Sequence, residues 1–123
     1  MKIKGKSIRT FIGSKDFVIS KSFYTELGFK EIPLSNILSY FCIGDFGFYL
    51  QNAYVKDWID NTMLFFEVDD LQSTLEHIQN LQLTEKFKHV RLSKVVYNEW
   101  GNEFFLHDPS GVLWHFGAFN SKE

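Results

Sequence analysis

The sequence carries one cysteine, two prolines and almost no net charge, and each shortage removes a class of protein. Cys42 has no second cysteine with which to close a disulfide, and its place in an expected strand marks it as a small buried hydrophobe rather than a nucleophile. A formal charge of −2 leaves no electrostatic footprint for nucleic acid or an anionic membrane. Lys2, Lys4 and Lys6 read as a solvated tail, and Lys86, Lys88, Arg91 and Lys94 as a solvated loop and strand edge. No window of eighteen apolar residues is present and the N-terminus lacks the apolar core of a secretion signal, so the chain is expected in the cytoplasm, with neither nucleic acid nor membrane as partner.

Aromatic residues are what the sequence has in excess: fourteen Phe, five Tyr and three Trp in 123 residues. A core packed with rings and a cavity lined by rings both produce that composition. The length suits one domain, residues 1–123, with a core of its own.

The stretch from Trp100 to Phe116 places two aromatic-rich runs around Asp108-Pro109-Ser110-Gly111, whose residue types suit a type I turn, and so predicts a β-hairpin. Strand alternation in its second arm puts Val112, Trp114 and Phe116 on one face and Leu113 and His115 on the other. Toward the N-terminus, Ser7 to Ile12 alternates as a strand. Asp16 then caps a helix whose stripe is Ile19, Phe23 and Leu27, ending at Gly28. Short strands follow at Phe29 to Ile32, Leu38 to Ile43 and Phe48 to Gln51, separated by turns at Pro33-Leu34-Ser35-Asn36 and Gly44-Asp45. Residues 52–61 break the pattern and read as a linker.

After that linker the order repeats: a strand from Met63 to Val68, a helix capped by Asp70 with the stripe Leu71, Leu75, Ile78 and Leu81, then strands near Val90 to Val96, Glu103 to His107 and Val112 to Phe116. An offset of 54 (70 minus 16) superposes Asp16 on Asp70, Phe11 on Phe65 and Leu27 on Leu81; an offset of 64 (111 minus 47) superposes Gly47 on Gly111, Leu50 on Trp114 and Gln51 on His115. The expectation is an α+β domain of two βαβββ modules, about 7–51 and 62–118, with the helices on the outer face of each sheet and a concave pocket on the other. Two copies are too few for a solenoid, so the modules must share one structure.

If the helices bury Ile8 and Ile12, Leu64, Phe66 and Val68, and Val112, Trp114 and Phe116, the opposite parity faces a concave side. Arg9, Phe11, Tyr49, Gln51, Met63, Phe65, Leu113 and His115 then line the candidate pocket, with Trp100 and Glu103 close to its mouth. Arg9 can fork onto an anionic group or be neutralised by Glu67 or Glu103. His115 can serve as a general acid or base, or as a hydrogen-bonded group lining a wet cavity. Trp100 can stack on a flat ligand or plug the sheet edge, and Asp69-Asp70 is explained by helix capping.

Asp16 with Ser20 and Phe23-Tyr24, Leu27-Gly28-Phe29, Phe66-Glu67-Val68-Asp69-Asp70-Leu71, Trp100-Gly101 and Asp108-Pro109-Ser110-Gly111-Val112-Leu113-Trp114, taken in order, resemble the glyoxalase, bleomycin-resistance and extradiol-dioxygenase (vicinal oxygen chelate) superfamily. The resemblance implies an open, U-shaped β structure, usually a homodimer, in which metal-dependent members hold a divalent ion with His, Gln and Glu side chains. Those ligand positions fall here on Arg9, about Gln51, Met63 and His115. A guanidinium has no lone pair to offer and a thioether is a soft donor, so no conventional metal site and no cofactor are expected. What the resemblance then implies is a metal-independent, bleomycin-resistance-like protein binding an aromatic or anionic small molecule. The alternatives are an enzyme, either a glyoxalase-like lyase or isomerase with His115 as the tentative catalytic base and an unusual ligand set or a dioxygenase relative, and a non-catalytic interaction module whose cavity is filled by Phe side chains.

Overall fold

The computed structural model describes residues 2–121. Its first module runs β1 (Phe11–Ile12), α1 (Phe17–Leu27), β2 (Lys30–Ser35), β3 (Leu38–Ile43) and β4 (Phe46–Gln51). Its second runs β5 (Met63–Glu67), α3 (Leu71–Leu81), α4 (Leu83–Lys86), β6 (Arg91–Leu92), β7 (Val96–Tyr97), β8 (Gly101–His107) and β9 (Leu113–Phe119), and the short helix α2 (Lys56–Asp60) stands between them. One sheet has the order β1-β4-β3-β2, the other β5-β9-β8-β6 with β7 also on β8, and neither is a closed barrel. In each module the first strand lies parallel to the last, as β1 on β4 and β5 on β9. This is the expected α+β arrangement of two repeated modules.

The helix starts follow from local chemistry. Asp16 and Asp70 accept hydrogen bonds from the N–H groups of Ile19 (3.1 Å) and Ser73 (3.0 Å), so each satisfies one of the donors a helix N-terminus leaves open. Gly28 takes φ of 120°, a backbone region that suits glycine, and ends α1. Between the sheets, Phe23, Tyr24 and Leu27 of α1 and Leu71, Leu75 and Ile78 of α3 pack on Phe41, Phe48 and Leu50 of the first sheet and Phe104, Leu106, Trp114 and Phe116 of the second. Edge-to-face contacts such as Phe48 against Trp114, with centroids 5.3 Å apart, give the interior its order. The excess of rings therefore fills a core first.

Several local expectations are corrected. The first strand covers only Phe11–Ile12, and Ile8, expected inside, is fully exposed because residues before Thr10 leave the sheet. In α1 the inward stripe is Phe17, Ser20, Phe23, Tyr24 and Leu27, while Ile19 is exposed. Ser20 takes the inward position with its hydroxyl 3.3 Å from that of Ser110. Strand β2 continues through Pro33, which an edge strand tolerates, and the turn tightens to Asn36-Ile37. The expected strand from Val90 to Val96 is split, because the Ser93 hydroxyl replaces a backbone acceptor for the N–H of Phe105 (2.8 Å). The stretch read as a linker forms α2, whose Ile59 is buried in the core. Cys42, expected to be buried, is half-buried.

Candidate ligand-binding site

The faces turned away from the shared core carry the residues singled out from the sequence. On the first sheet the β1–β4 ladder sets Phe11 beside Tyr49, and their rings stack with centroids 4.8 Å apart. Arg9 lies two residues earlier, ahead of the strand, and its side chain turns back over the Tyr40 and Tyr49 rings. Its Nη1 donates to the Tyr49 hydroxyl at 2.9 Å, and its guanidinium carbon sits 4.2 Å from the Tyr40 ring centroid. The Tyr49 hydrogen bond pushes the Arg9 pKa further up, so the group is a permanent cation held over two rings. No carboxylate pairs with Arg9 among the described residues, so neither Glu67 nor Glu103 neutralises it.

On the second sheet, parallel β5 sets Phe65 beside His115 and antiparallel β8 sets Phe105 on its other side. The imidazole stacks on the Phe65 ring, with centroids 6.3 Å apart and planes 25° from parallel, and lies 5.0 Å from the Phe105 ring, edge-on. Glu103 projects from the same face of β8 and reaches His115 Nδ1 with Oε1 at 2.8 Å. The other oxygen accepts from Asn98 Nδ2 at 2.9 Å. Phe65, Trp100 and Phe119 form a triangle of rings with centroids 5.1 to 5.8 Å apart, and all three are partly exposed. The Phe65 ring lies over Gly117, where a Cβ would come within 2.4 Å of it. Only glycine gives that ring its seat.

The sequence-selected residues thus fall into two groups: Phe11, Tyr49 and Gln51 on the first sheet with Arg9 just ahead of β1, and Met63, Phe65, Glu103, Leu113 and His115 on the second with Trp100 just ahead of β8. No hydrogen bond or ion pair among the described residues joins the two groups. A cleft of about 650 Å³ lies between the start of β4 and the free edge of β5, with Met63 and Phe65 on its wall beside Phe46, Phe48, Glu67 and Asp69. Tyr40, Asn98, Gly117 and Phe119 join the site only in the folded chain. Phe119 continues the alternation Leu113, His115, Gly117 and was hidden only by ending the strand at Phe116; Asn98 lies in a loop without any periodic signal.

The pairing register also revises the repeat. With Phe11 on Phe65, the ladders Phe11 to Tyr49 and Phe65 to His115 make Tyr49, not Gln51, the counterpart of His115, an offset of 66 (115 minus 49). For a divalent ion, the positions implied by the sequence resemblance supply Arg9, Gln51 or Tyr49, Met63 and His115, and the His115 Nδ1 is already engaged by Glu103. Among the described residues no three His, Cys, Asp or Glu side chains converge. This donor set does not fit a catalytic divalent site, which needs about three lone-pair ligands and an open position.

No protein-family model matches the sequence, and no curated protein does. Solved structures do match. The bleomycin-binding protein from Streptomyces verticillus, complexed with copper(II)-bleomycin, shares 20% identity over 97% of this chain and 100% of that one, with a TM-score of 0.78. An antibiotic binding protein from a Streptomyces species gives 15% identity, 97% and 100% coverage and a TM-score of 0.75. A glyoxylase/bleomycin resistance protein/dioxygenase domain from a Frankia species gives 14%, 97%, 100% and 0.71. The chain therefore has the fold of the vicinal oxygen chelate superfamily, as the sequence resemblance implied. Within that fold it is similar to bleomycin-binding proteins.

Proposed function

We propose that the chain is a metal-independent small-molecule binding protein that works as a homodimer and takes an aromatic or anionic ligand. The observation that carries this reading is the combination, on both outward faces, of exposed rings with a single fixed polar group: Arg9 over Tyr40 and Tyr49, and His115 between Phe65 and Phe105. Small-molecule sites are built this way, with apolar walls and few orienting groups. The likeness to bleomycin-binding and antibiotic-binding structures supports small-molecule binding as the general role.

The donor chemistry of Arg9 and Met63 supports metal independence, and the guanidinium favours a carboxylate or phosphate over a cationic ligand. The homodimer is supported by apolar surface left uncovered: Phe11, Met63, Phe65 and Phe119 on the sheets, and Ile3 and Ile8 on the N-terminal segment, which are 95% and 100% exposed. A second copy that covered these faces could also bring the two residue groups to one pocket. The cleft of about 650 Å³ is within the usual ligand range of roughly 300–1,000 Å³, which weighs against an interaction module with a filled cavity.

The reading is tested by titrating anionic aromatic compounds into the protein, before and after a chelator, with mass measured by light scattering. Micromolar binding by a dimer, unchanged by the chelator, supports it; loss of binding on chelation or absence of any binder sinks it. One observation favours a second reading, a lyase or isomerase, namely the carboxylate-supported His115. Turnover undiminished in His115→Ala would remove His115 as its base.

A further inference from the structure

The Asn98–Glu103–His115 chain has a consequence for ligand choice, resting on the binding reading above. Glu103 is only 9% exposed and its two oxygens have different partners: Oε2 accepts from Asn98 Nδ2 at 2.9 Å, and Oε1 lies 2.8 Å from His115 Nδ1. A carboxylate only accepts, so the hydrogen between Oε1 and Nδ1 belongs to the imidazole. Fixing that hydrogen on Nδ1 makes Nε2 of the neutral ring an acceptor. Among the described residues Nε2 has no partner and no buried side-chain nitrogen or oxygen lacks one, so Nε2 is reached by solvent. Around the imidazole stand Phe65 and Phe105, with Trp100 and Phe119 packed on Phe65.

We infer that Asn98 and Glu103 are positioning residues that hold His115 as a hydrogen-bond acceptor, and that this half of the site selects flat aromatic ligands bearing an O–H or N–H donor, such as phenols and enols. The selection is a matter of pairing. A phenolic hydroxyl gives Nε2 its hydrogen bond, whereas the matching methyl ether removes Nε2 from water and returns nothing, which costs about tenfold in affinity for a neutral acceptor. Asn98 acts one step back: it occupies Oε2 and leaves Oε1 directed at the imidazole. Ring stacking on Phe65 and Trp100 is common to both ligands and so cancels in the comparison.

The experiment uses the full chain and a matched pair, 2-naphthol and 2-methoxynaphthalene, in titrations monitored by tryptophan fluorescence. It is combined with nitrogen-15 NMR of the histidine rings, which reports the tautomer without any ligand. The expected result is a preference of about tenfold for the hydroxyl compound and a pyridine-type resonance for His115 Nε2. In Glu103→Gln, whose amide can accept from or donate to Nδ1, the preference falls below about threefold while affinity for the ether stays within about twofold. In Asn98→Ala the preference falls partway. Equal affinity of the wild-type protein for the two compounds overturns the selection and leaves the binding reading intact. A hydrogen found on Nε2 overturns the role of Glu103 whatever binds, and a protein that binds neither compound overturns the selection together with the aromatic-ligand reading. Should Glu103→Gln fail to fold, the wild-type preference and tautomer decide alone.

Discussion

Tyr24 donates its phenolic hydrogen to Oδ2 of Asp108 at 2.6 Å, and both residues are completely buried. The contact crosses the molecule, from the helix of the first module to the final hairpin of the second. Asp108 Oδ1 accepts from the N–H groups of Ser110, Gly111 and Val112 at 2.8 to 2.9 Å, so the carboxylate builds the turn from within. Tyr24 in turn accepts from Trp114 Nε1 at 2.9 Å. One buried network therefore fixes the hairpin that carries His115 against the helix between the sheets.

Removing the phenol by Tyr24→Phe leaves Asp108 Oδ2 and the Trp114 indole without their partner in a dry interior. The expected loss is about 1–3 kcal/mol of stability, read from urea unfolding, with the ring packing retained.

Alkaline pH should act through the same group. Burial first, then the charge of Asp108, hold the Tyr24 phenol well above its ordinary value, so the folded chain keeps a proton that the unfolded chain releases near pH 10. Stability from this group is complete below pH 10 and declines above it, by about 1.4 kcal/mol per pH unit. Unfolding titrations of wild type and Tyr24→Phe should therefore converge as pH rises past 10.

Gly117→Ala puts a methyl where the Phe65 ring now lies, 2.4 Å from its nearest atom. The ring must swing away from His115 and Trp100. Affinity for an aromatic ligand should fall by about tenfold, a loss of the size expected for one ring contact. Phe65 is 45% exposed, so it has room to move and the melting temperature should shift little.

Arg9→Ala should weaken an anionic aromatic ligand by about tenfold and leave its uncharged analogue unaffected, as loss of a charge-assisted hydrogen bond requires. The guanidinium is on the surface, so the unfolding midpoint should stay where it is in the wild type. Equal effects on both ligands would place the anion elsewhere.

Elemental analysis of protein purified without a histidine tag, after incubation with zinc, nickel, manganese and ferrous iron, should find no ion near one per chain. Stoichiometric retention would require ligands around His115 that the present donor set does not supply.

The features legible in the sequence are those set by neighbours along the chain. Asp16 and Asp70 reveal their helices because a cap acts on the N–H three residues later, and both helices run over the residues the caps predict. Alternation in the last strand put Trp114 inside and His115 outside, as found, because a strand cannot place adjacent side chains on one face. Ile8 failed for the opposite reason: alternation states which side a residue would take, not whether a partner strand is there to receive it.

The sequence by itself determined the module order, the helix starts, the outward parity of Phe11, Tyr49, Phe65 and His115, and the ring-rich core. Tertiary structure alone decided which outward residues meet. Glu103 joins His115 and Asn98 rather than Arg9, Tyr49 rather than Gln51 matches His115, and the two outward groups lie on separate sheets. The physical reason is range. Caps, turns and alternation act over a few residues, whereas strand register and side-chain pairing are settled by packing between segments far apart in the chain, as between Tyr24 and Asp108.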